Sequence, residues 1–406
     1  MSSKEIITGI DLGSKSIKIA VGQEVAGELN IIGLAEEPSE GISKGMIISI
    51  EDTISSLSSC LEKIDKMISM QIEHAYIGIS GSHIISQESK GVIAISRADG
   101  EIKDDDVRRV LEAAQTVVTP PNYEFIHSIP RSFTVDNQPG ILDPIGMTGV
   151  RLEVESQIIL GLSNQIKNLT KCFYRVGVNI DDKILSVLAA AETVLSRRQK
   201  DFGVAVVNLG HTTTSLVVFE EGDILLAKVL PIGARHITGD ISLGLKIPLD
   251  LAEAIKLRYG TTLPDKVDKH EQINLKDLDE NEEGLVSRKE VAKIIEARCE
   301  EIFEIVDKEL MTVARSGKLP AGVVLIGGGS KLDGLVETAK SVFKTPASIG
   351  VSQGFTSGIN KSYDPIFSTA VGLVLYGPKS SIKNTKVLKN ETFSKVKKMF
   401  KNLMPF

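Results

Sequence analysis

Two short segments combine a carboxylate or amide, a glycine and hydroxyl side chains in an order suited to phosphate binding. They read ThrGlyIleAspLeuGlySerLysSerIleLys at 8–18 and ValValAsnLeuGlyHisThrThrThrSerLeu at 206–216. In each, two apolar runs flank the polar residues, a pattern typical of two strands joined by a tight turn. Glycine lets main-chain N–H groups approach an anion, and the hydroxyl groups add further donors. We interpret both segments as phosphate-binding turns.

A third glycine turn lies near the end of the chain, in ValValLeuIleGlyGlyGlySerLysLeu at 323–332. A buried strand that opens into glycines and a helix start is a favourable place for phosphate or ribose. Three consecutive glycines lose much backbone entropy on folding, so a close approach of a ligand is favoured over a bare turn. Three such turns in this order predict two similar halves that close on a nucleotide.

Two charged side chains belong to the first turn. Asp11 ends the first strand, where its carboxylate would hold Mg²⁺ through water beside phosphates; the alternative is a turn aspartate that caps its own backbone. Lys18 faces the same way as Ser14 and Ser16 by strand alternation. It either offsets phosphate charge or is a solvated strand lysine.

A helix that starts near Pro248 carries a second charged pair. Glu253 and Lys256 are three residues apart and share one face. This spacing suits binding of ribose hydroxyls and an adenine edge or, equally, an ordinary surface ion pair.

His211 and His236 are the histidines considered as catalytic residues. Neither has a Ser/Cys–Asp arrangement nearby in sequence, so packing or turn roles are favoured.

Composition excludes several classes of protein. The 406 residues allow two or three domains, and 42% hydrophobic with 25% charged residues is typical of a soluble globular protein. A net charge of −6 argues against bulk nucleic-acid binding. No apolar stretch is long enough to cross a bilayer, and the first residues do not resemble a secretory leader. Cys60, Cys172 and Cys299 lack metal spacing, which favours a reducing cytosol and structural thiols.

The periodicity of apolar residues predicts an α/β protein in which a three-strand unit with a glycine turn occurs twice. The expected segments are a first-lobe core at 1–81 and 163–199 closed by a helix at 365–376, an inserted α+β subdomain at 82–162, a second-lobe core at 200–235 and 320–364, a helical second-lobe subdomain at 236–319, a linker at 377–390 and a terminal helix at 391–406.

The terminal helix is the second strong signal. Its apolar residues fall on one stripe at helical spacing, bordered by lysines, which is typical of a helix that lies on a membrane surface. The residues expected to contact the membrane are Phe393, Val396, Lys397, Phe400, Lys401 and Leu403. The alternative is a helix that docks on the body of the protein, although the linker argues for detachment.

The order of the glycine turns, the GluAlaIleLys-containing helix and the GlyGlyGly turn resemble the actin/Hsp70/sugar-kinase superfamily, whose fold has two lobes built on duplicated ribonuclease-H-like domains. The insertion at about 82–160 and the basic amphipathic tail resemble the FtsA family of bacterial cell-division proteins, over essentially the whole chain. This resemblance implies an ATP-binding protein that forms filaments at the cytoplasmic face of the membrane, at the division septum. It also implies tethering of the tubulin-like FtsZ ring through the terminal helix and recruitment of later division proteins through residues 82–162.

The resemblance also implies roles for individual residues. Those expected to contact ATP are Gly13, Ser14, Lys15, Ser16, Lys18, Asn208, Gly210, His211, Thr212, Thr213, Glu253, Lys256, Gly327, Gly328, Gly329 and Lys331, with Asp11 at Mg²⁺. Lys293 and Arg298, on a predicted helix at 287–315, form by themselves an ordinary solvated helix face; the resemblance implies instead that they lie in the region that family members use to bind the C-terminal peptide of FtsZ.

Two departures from the superfamily pattern limit the enzymatic claim. Asn208 stands where the second phosphate turn usually has Asp, and the segment LeuSerValLeuAlaAlaAlaGlu at 185–192 lacks a Glu or Gln at its start to orient the attacking water. Loss of such a group lowers a rate by roughly 10²–10⁴. We therefore expect tight ATP binding with slow or no hydrolysis. The rival interpretations are the actin-like adaptor of type IV pilus systems (PilM), for which a membrane helix is not expected, and a small-molecule kinase, for which no carboxylate base is evident.

Overall fold

The computed structural model describes residues 6–25, 27–116 and 120–378. Most of the predicted linker and the whole terminal helix therefore lie outside the described residues, and so do the six residues expected to contact a membrane: Phe393, Val396, Lys397, Phe400, Lys401 and Leu403. Within the described ranges, none of the helices is both long enough and apolar enough to span a membrane.

The first lobe is built on a six-stranded sheet in the order β11-β6-β1-β2-β3-β19. β1, β2 and β3 form an antiparallel meander, whereas β6 and β11 run parallel to β1. The strands are β1 (Ile6–Leu12), β2 (Ser16–Val25), β3 (Glu28–Pro38), β6 (His74–Ile79), β11 (Asn179–Leu185) and β19 (Thr356–Ser357), with a separate two-strand hairpin of β4 (Ile42–Ser43) and β5 (Met46–Ile47).

Helices cover both faces of this sheet because its strands alternate two apolar sets. Ile17 and Ile19 of β2 pack in one buried cluster with the long first helix, while Ala20 packs on the other side against Val371 of the last helix. The helices of this lobe are α1 (Ile50–Ile68), α3 (Ser163–Arg175), α4 (Ser186–Val194), α5 (Arg197–Phe202) and a final helix, α10, at 368–378.

The inserted subdomain is a four-stranded antiparallel sheet, in the order β7-β10-β8-β9, with one helix packed on it. Gly91 permits the helix to approach closely, because an added Cβ would overlap the carbonyl oxygen of Val110. The elements are β7 (Ile84–Ala94), α2 (Asp104–Gln115), β8 (Tyr123–Val135), β9 (Gln138–Ile141) and β10 (Arg151–Leu162). The predicted α+β character of this segment matches these elements.

The second lobe has a five-stranded sheet in the order β14-β13-β12-β17-β18, covered by four helices. Val207 and Leu209 pack toward these helices, whereas Val206 packs toward α4 of the first lobe. The elements are β12 (Val204–Leu209), β13 (Thr214–Glu220), β14 (Asp223–Leu230), β17 (Val323–Ile326), β18 (Ala347–Ile349), α6 (Ala234–Leu245), α7 (Leu249–Tyr259), α8 (Arg288–Thr312), α9 (Leu335–Phe343), and a small hairpin of β15 (Gln272–Asn274) and β16 (Leu285–Ser287).

The two lobes repeat one arrangement of strands. β1 pairs with β2 and β6 in the same way that β12 pairs with β13 and β17. Asp11 lies opposite Lys18 in the first hairpin, and Asn208 lies opposite Ser215 in the second, so Asp11 and Asn208 occupy equivalent positions. The internal duplication expected from the sequence is therefore visible in the strand registers.

The structure adds elements that the sequence pattern did not predict. β11 is a parallel strand of the first sheet, and the charged loop near 264–284 contains most of the β15–β16 hairpin. The closing helix also begins later than expected, since 365–367 is a short 3₁₀ turn. Cys60, Cys172 and Cys299 are buried free thiols, in agreement with the expected structural role.

Candidate nucleotide site

A cavity of about 670 Å³ lies between the two lobes, within the size range typical of small-molecule sites. Every residue that the sequence analysis assigned to ATP or Mg²⁺ lines it. The lining set includes Asp11, Gly13, Ser14, Lys15, Ser16, Lys18, Asn208, Gly210, His211, Thr212, Thr213, Glu253, Lys256, Gly327, Gly328, Gly329 and Lys331. Residues from four distant parts of the chain thus converge on one cleft.

The two predicted phosphate turns have the same backbone geometry. An added Cβ at Gly13 would lie 2.7 Å from the carbonyl oxygen of Ser16, and one at Gly210 would lie 2.8 Å from that of Thr213. The N–H of Gly210 donates to the Thr213 carbonyl at 2.9 Å, which closes the second turn. Glycine is required at both positions because the chain folds back on itself without room for a side chain.

The turns face each other across the cleft. The Thr212 hydroxyl donates to Ser14 Oγ at 2.9 Å, and Ser80 Oγ lies 3.2 Å from Ser215 Oγ. These contacts join the first lobe to the second directly. Hydroxyl groups from both lobes therefore surround the space into which a phosphate chain would fit.

Asp11 lies at the end of β1, half-buried and lining the cleft. Burial raises the pKa of its carboxyl group, and the nearby Lys18 ammonium opposes this by favouring the charged form. Lys18 donates to Ser16 Oγ at 2.6 Å and lies 3.8 Å from a carboxylate oxygen of Glu36. Among the described residues no group of three or more His, Cys, Asp or Glu side chains is arranged to hold a metal. A single carboxylate suits Mg²⁺, which usually keeps several waters and takes other ligands from phosphates.

Glu253 of α7 is the centre of a cross-lobe ion-pair network. Its carboxylate lies 2.6 Å from the ammonium of Lys15, in the first lobe, and 2.6 Å from that of Lys256. Thr238 donates to it at 2.5 Å. Burial alone would raise the pKa of Glu253, but the hydrogen bonds from Lys15, Lys256 and Thr238 outweigh burial and hold the pKa at about 2. The Glu253–Lys256 pair predicted from sequence spacing is therefore formed within α7, and the separate contact of Glu253 with Lys15 reaches across the cleft.

We expect Glu253→Gln to lower the free energy of unfolding by about 3 kcal/mol at pH 7, since removing one partner of a buried ion pair leaves the other uncompensated. Lys256, whose side chain is 8% exposed, would lose its counter-ion.

The same ion pair makes the stability depend on pH. Because the pKa of Glu253 is lowered from 4.5 to about 2 on folding, the contribution of Glu253 to the free energy of unfolding is complete above pH 4.5 and is lost as the pH falls toward 2. Urea unfolding at neutral pH and at about pH 3 measures both effects. Glu301→Gln, which changes an exposed partner of Arg298, is the matched control. Equal stability of Glu253→Gln and this control at pH 7 would contradict the prediction.

The three glycines of the third turn differ in their surroundings. Gly327 has φ +84° and an added Cβ would overlap Asn208 Oδ1, while a Cβ on Gly329 would overlap the Leu209 side chain. Both are therefore needed for packing of this turn against the second phosphate turn. Gly328 has no atom within 4 Å of an added Cβ and faces the open cleft. The close approach of a ligand predicted for this turn consequently concerns Gly328.

The start of α4 forms the floor of the cleft. Ser186 is 2% exposed, and its hydroxyl has no hydrogen-bond partner among the described residues. An added Cβ on the neighbouring Gly78 would lie 2.7 Å from that hydroxyl. Glu192, further along α4, lies 2.5 Å from the ammonium of Lys200 and is not part of the cleft lining. Ser186 is therefore the residue of α4 that lines the cleft, and its hydroxyl is buried.

The two histidines differ in their surroundings. Burial lowers the pKa of His211 to about 4, so its ring is neutral at physiological pH in the wall of the cleft. The Nδ1 atom of His236 lies 3.1 Å from both the N and the O atoms of Gly233, where α6 begins. His236 thus stabilises a helix start.

The two predicted FtsZ-binding residues lie on α8 but differ in their contacts. Arg298 is ion-paired with Asp240 of α6, through Nη2 at 2.9 Å and through Nε, and with Glu301 at 2.5 Å. Lys293 is exposed on the same helix. Arg298 therefore links two helices of its own lobe, whereas the Lys293 ammonium extends into solvent.

Several lining residues were missed by sequence reasoning. Ser80 and Ser186 follow the carboxyl ends of the parallel strands β6 and β11, the edge of a sheet where ligands bind in open α/β folds. Recognition of β11 as a strand would have pointed to Ser186. The other lining residues that were not predicted are Leu12, Glu36, Gly45, Ser215, Ala234, Ile237, Leu257, Arg258, Gly260, Arg288, Leu332, Asp333, Pro365, Ile366 and Thr369. Leu12, Ser215 and Leu332 lie within the three glycine segments, and the others carry no local motif.

Two duplicated lobes that enclose a cleft with paired phosphate turns define an actin-like protein. Solved structures agree: the PilM–PilN type IV pilus biogenesis complex contains a chain with a TM-score of 0.67 at 16% identity, covering 92% of this chain and 99% of that one. MreB5 of Spiroplasma citri bound to ADP matches with a TM-score of 0.55 at 13% identity, covering 94% and 98%. At these identities the likeness concerns the fold alone, and the predicted actin-like fold with an inserted subdomain is confirmed.

Sequence relatives identify the family. A family model described as cell division protein FtsA matches residues 205–372, and one described as the SHS2 domain inserted in FtsA matches residues 81–160. Cell division protein FtsA of Pseudomonas aeruginosa is 36% identical over 93% of this chain and 90% of its own length, and that of Bacillus subtilis is 36% identical over 93% and 84%. FtsA of Escherichia coli K12 is 30% identical over 94% and 92%. The chain belongs to the FtsA family of cell-division proteins, as its sequence motifs predict.

Proposed function

We propose that this protein binds ATP with Mg²⁺ in the interlobe cleft and tethers the FtsZ ring to the cytoplasmic face of the membrane at the division septum. The observation that carries the ATP proposal is the convergence of both phosphate turns, the third glycine turn and the Glu253–Lys256 pair on one cavity. Nucleotide binding by an actin-like neighbour, the MreB5 structure bound to ADP, supports it.

Within this proposal, different residues of the cleft would bind the phosphates and the Mg²⁺ ion. The hydroxyls of Ser14 and Thr212 and the ammonium of Lys18 would bind phosphates, and Asp11 would hold Mg²⁺ through water. Mg²⁺ would neutralise phosphate charge. Hydrolysis would be slow or absent, because Asn208 is neutral and Ser186 cannot accept a proton from water at neutral pH.

ATP would then serve to close the lobes and to permit filament contacts between copies of the chain. FtsZ would bind through its C-terminal peptide at the helical subdomain, where the exposed Lys293 is a candidate contact. Since Arg298 is already paired with Asp240 and Glu301, we expect it to act there by holding α6 against α8. Later division proteins would bind the subdomain at 82–162.

The tether to the membrane is tested by flotation with vesicles. We expect the full-length protein to float with anionic vesicles in the presence of ATP, and a truncated protein ending at Lys379 to stay in the dense fraction. Each buried Phe or Leu contributes about 1.5–3 kcal/mol and each lysine near an anionic leaflet about 1 kcal/mol before ordering costs. Neutral vesicles and the charge-reversal variant Lys397→Glu/Lys401→Glu are the controls. Equal flotation of full-length and truncated protein would contradict membrane tethering through this helix, and electron microscopy of the floated fraction tests for filaments.

A further inference from the structure

The inserted subdomain contacts the second lobe as well as the first. It leaves the first lobe after β6 and returns into α3, so it is continuous with that lobe. β14, which it contacts, is the edge strand of the second-lobe sheet. An edge strand presents unpaired backbone groups on its outer side, and two side chains of the insert satisfy them.

Gln157 and Arg131 make these contacts. Gln157, on β10, is 4% exposed and its side-chain carbonyl accepts the N–H of Ala227 at 3.0 Å. Arg131, on β8, donates through Nε to the carbonyl of Leu225 at 3.0 Å and also through Nη2. The Arg131 guanidinium is oriented by Glu88 of β7, at 2.7 Å. Two adjacent outward-facing backbone groups of β14 are thus bonded to the insert.

Apolar packing reinforces the contact. Ile84, Ile129 and Ile159 of the insert share one buried cluster with Val217 and Ala227 of the second lobe. The same cluster contains residues of α4, the helix that forms the floor of the cleft. Opening the lobes would therefore separate a buried apolar surface and break the two polar contacts.

A further hydrogen bond links the insert to the cleft floor. His127 of β8 accepts the N–H of Leu185 through Nε2 at 3.0 Å. Leu185 is the last residue of β11 and directly precedes Ser186. The insert thus contacts both lobes: β14 in the second lobe, and in the first lobe the end of β11 that leads into the cleft floor.

We infer that the inserted subdomain acts as a clasp: its docking on β14 holds the lobes closed and so controls the exchange of the nucleotide in the cleft. This inference rests on the proposed ATP binding. By thermodynamic reciprocity, a bound nucleotide stabilises the docked insert, and a partner that pulls the insert from β14 weakens nucleotide binding. Because undocking removes contacts that hold the lobes closed, we expect the weaker binding as faster release.

The test is the dissociation rate of a fluorescent ATP analogue from the full-length protein, measured by displacement with unlabelled ATP. We expect dissociation to be about tenfold faster from Gln157→Leu and from Arg131→Met, since each leaves a backbone group of β14 unpaired, and faster still from the double variant. Arg151→Met is the matched control, because Arg151 lies on the same sheet and pairs only with Glu153 of its own strand among the described contacts. We expect the control to release the analogue at the wild-type rate. If Gln157→Leu and Arg131→Met also release it at the wild-type rate, the inference is overturned.

A second measurement uses the wild-type protein, so that it stands even if a variant fails to fold. We expect ATP with Mg²⁺ to slow hydrogen exchange at the amide of Ala227, which lies outside the cleft lining. Unchanged exchange at this amide in the presence of bound nucleotide would also overturn the inference. If the fluorescent analogue does not bind the wild-type protein at all, the proposed ATP binding fails instead, and the two failures are distinguished.

Discussion

Gly328→Val is expected to lower the affinity of the cleft for ATP by about 100-fold, equivalent to about 2.8 kcal/mol, without changing the temperature of thermal unfolding. An added Cβ at this position has no atom within 4 Å, so we expect the free protein to accommodate the valine. The same side chain extends into the cavity that both phosphate turns line. It therefore occupies space needed by a nucleotide that approaches the backbone of the third turn.

Calorimetric titration with ATP and Mg²⁺, together with thermal unfolding, measures the two quantities separately. Gly327→Ala and Gly329→Ala are informative controls, since their Cβ atoms would overlap Asn208 and Leu209 respectively. We expect both to lower the unfolding temperature, in contrast to Gly328→Val. Undiminished ATP affinity of Gly328→Val would mean that the nucleotide does not approach this turn.

Ser186→Gln is expected to accelerate ATP hydrolysis by about 100-fold, the lower end of the range that a positioned proton-transfer group contributes. Ser186 begins α4 at the floor of the cleft, and its hydroxyl has no partner among the described residues. We expect a longer amide at this position to extend into the cavity that Ser186 lines, where it would orient a water beside the terminal phosphate of the proposed ATP. The basis of the slow turnover that we propose is thus the short side chain at this position.

Single-turnover phosphate release measures the rate, and ATP affinity is determined separately so that a change in binding is not read as a change in chemistry. Ser186→Ala should remain slow. Glu192→Gln should also leave the rate unchanged, because Glu192 pairs with Lys200 outside the cleft. If Ser186→Gln binds ATP normally and hydrolyses it no faster than wild type, the neutral Asn208 becomes the better explanation.

The sequence predicts the parts of the fold whose signals are local. Each phosphate turn is a glycine between two alternating apolar runs, and the duplicated hairpins follow from that pattern alone. β11 was missed because its sequence, AsnIleAspAspLysIleLeu, carries three charges. It is nevertheless a strand, since it pairs with β6 along the edge of the first-lobe sheet and only its last residues are fully buried.

For the candidate site, too, the residues with a local sequence pattern were easier to predict than the others. Most lining residues inside the glycine motifs were predicted, and so were Glu253 and Lys256 from their helical spacing. Residues that other segments supply singly, such as Ser80 and Thr369, have no pattern of their own. The Lys15–Glu253 ion pair joins residues 238 positions apart, and only the packing of the two lobes brings them together. For Arg298, the sequence predicts the helix on which it lies but not its ion pair with Asp240, which comes from a different helix.

Because its three thiols are buried, the protein is suited to site-specific labelling with dyes that detect opening of the lobes. Burial raises the pKa of Cys60 and of Cys299 to about 12, and Cys172 is buried as well. Thiolates are the reactive form of cysteine, so the native chain should react little with maleimide dyes while folded. Two exposed positions changed to cysteine, Val150→Cys in the insert and Leu243→Cys in the second lobe, would then carry a donor and an acceptor dye. Energy transfer between these dyes would report each opening of the molecule without any change to its interior.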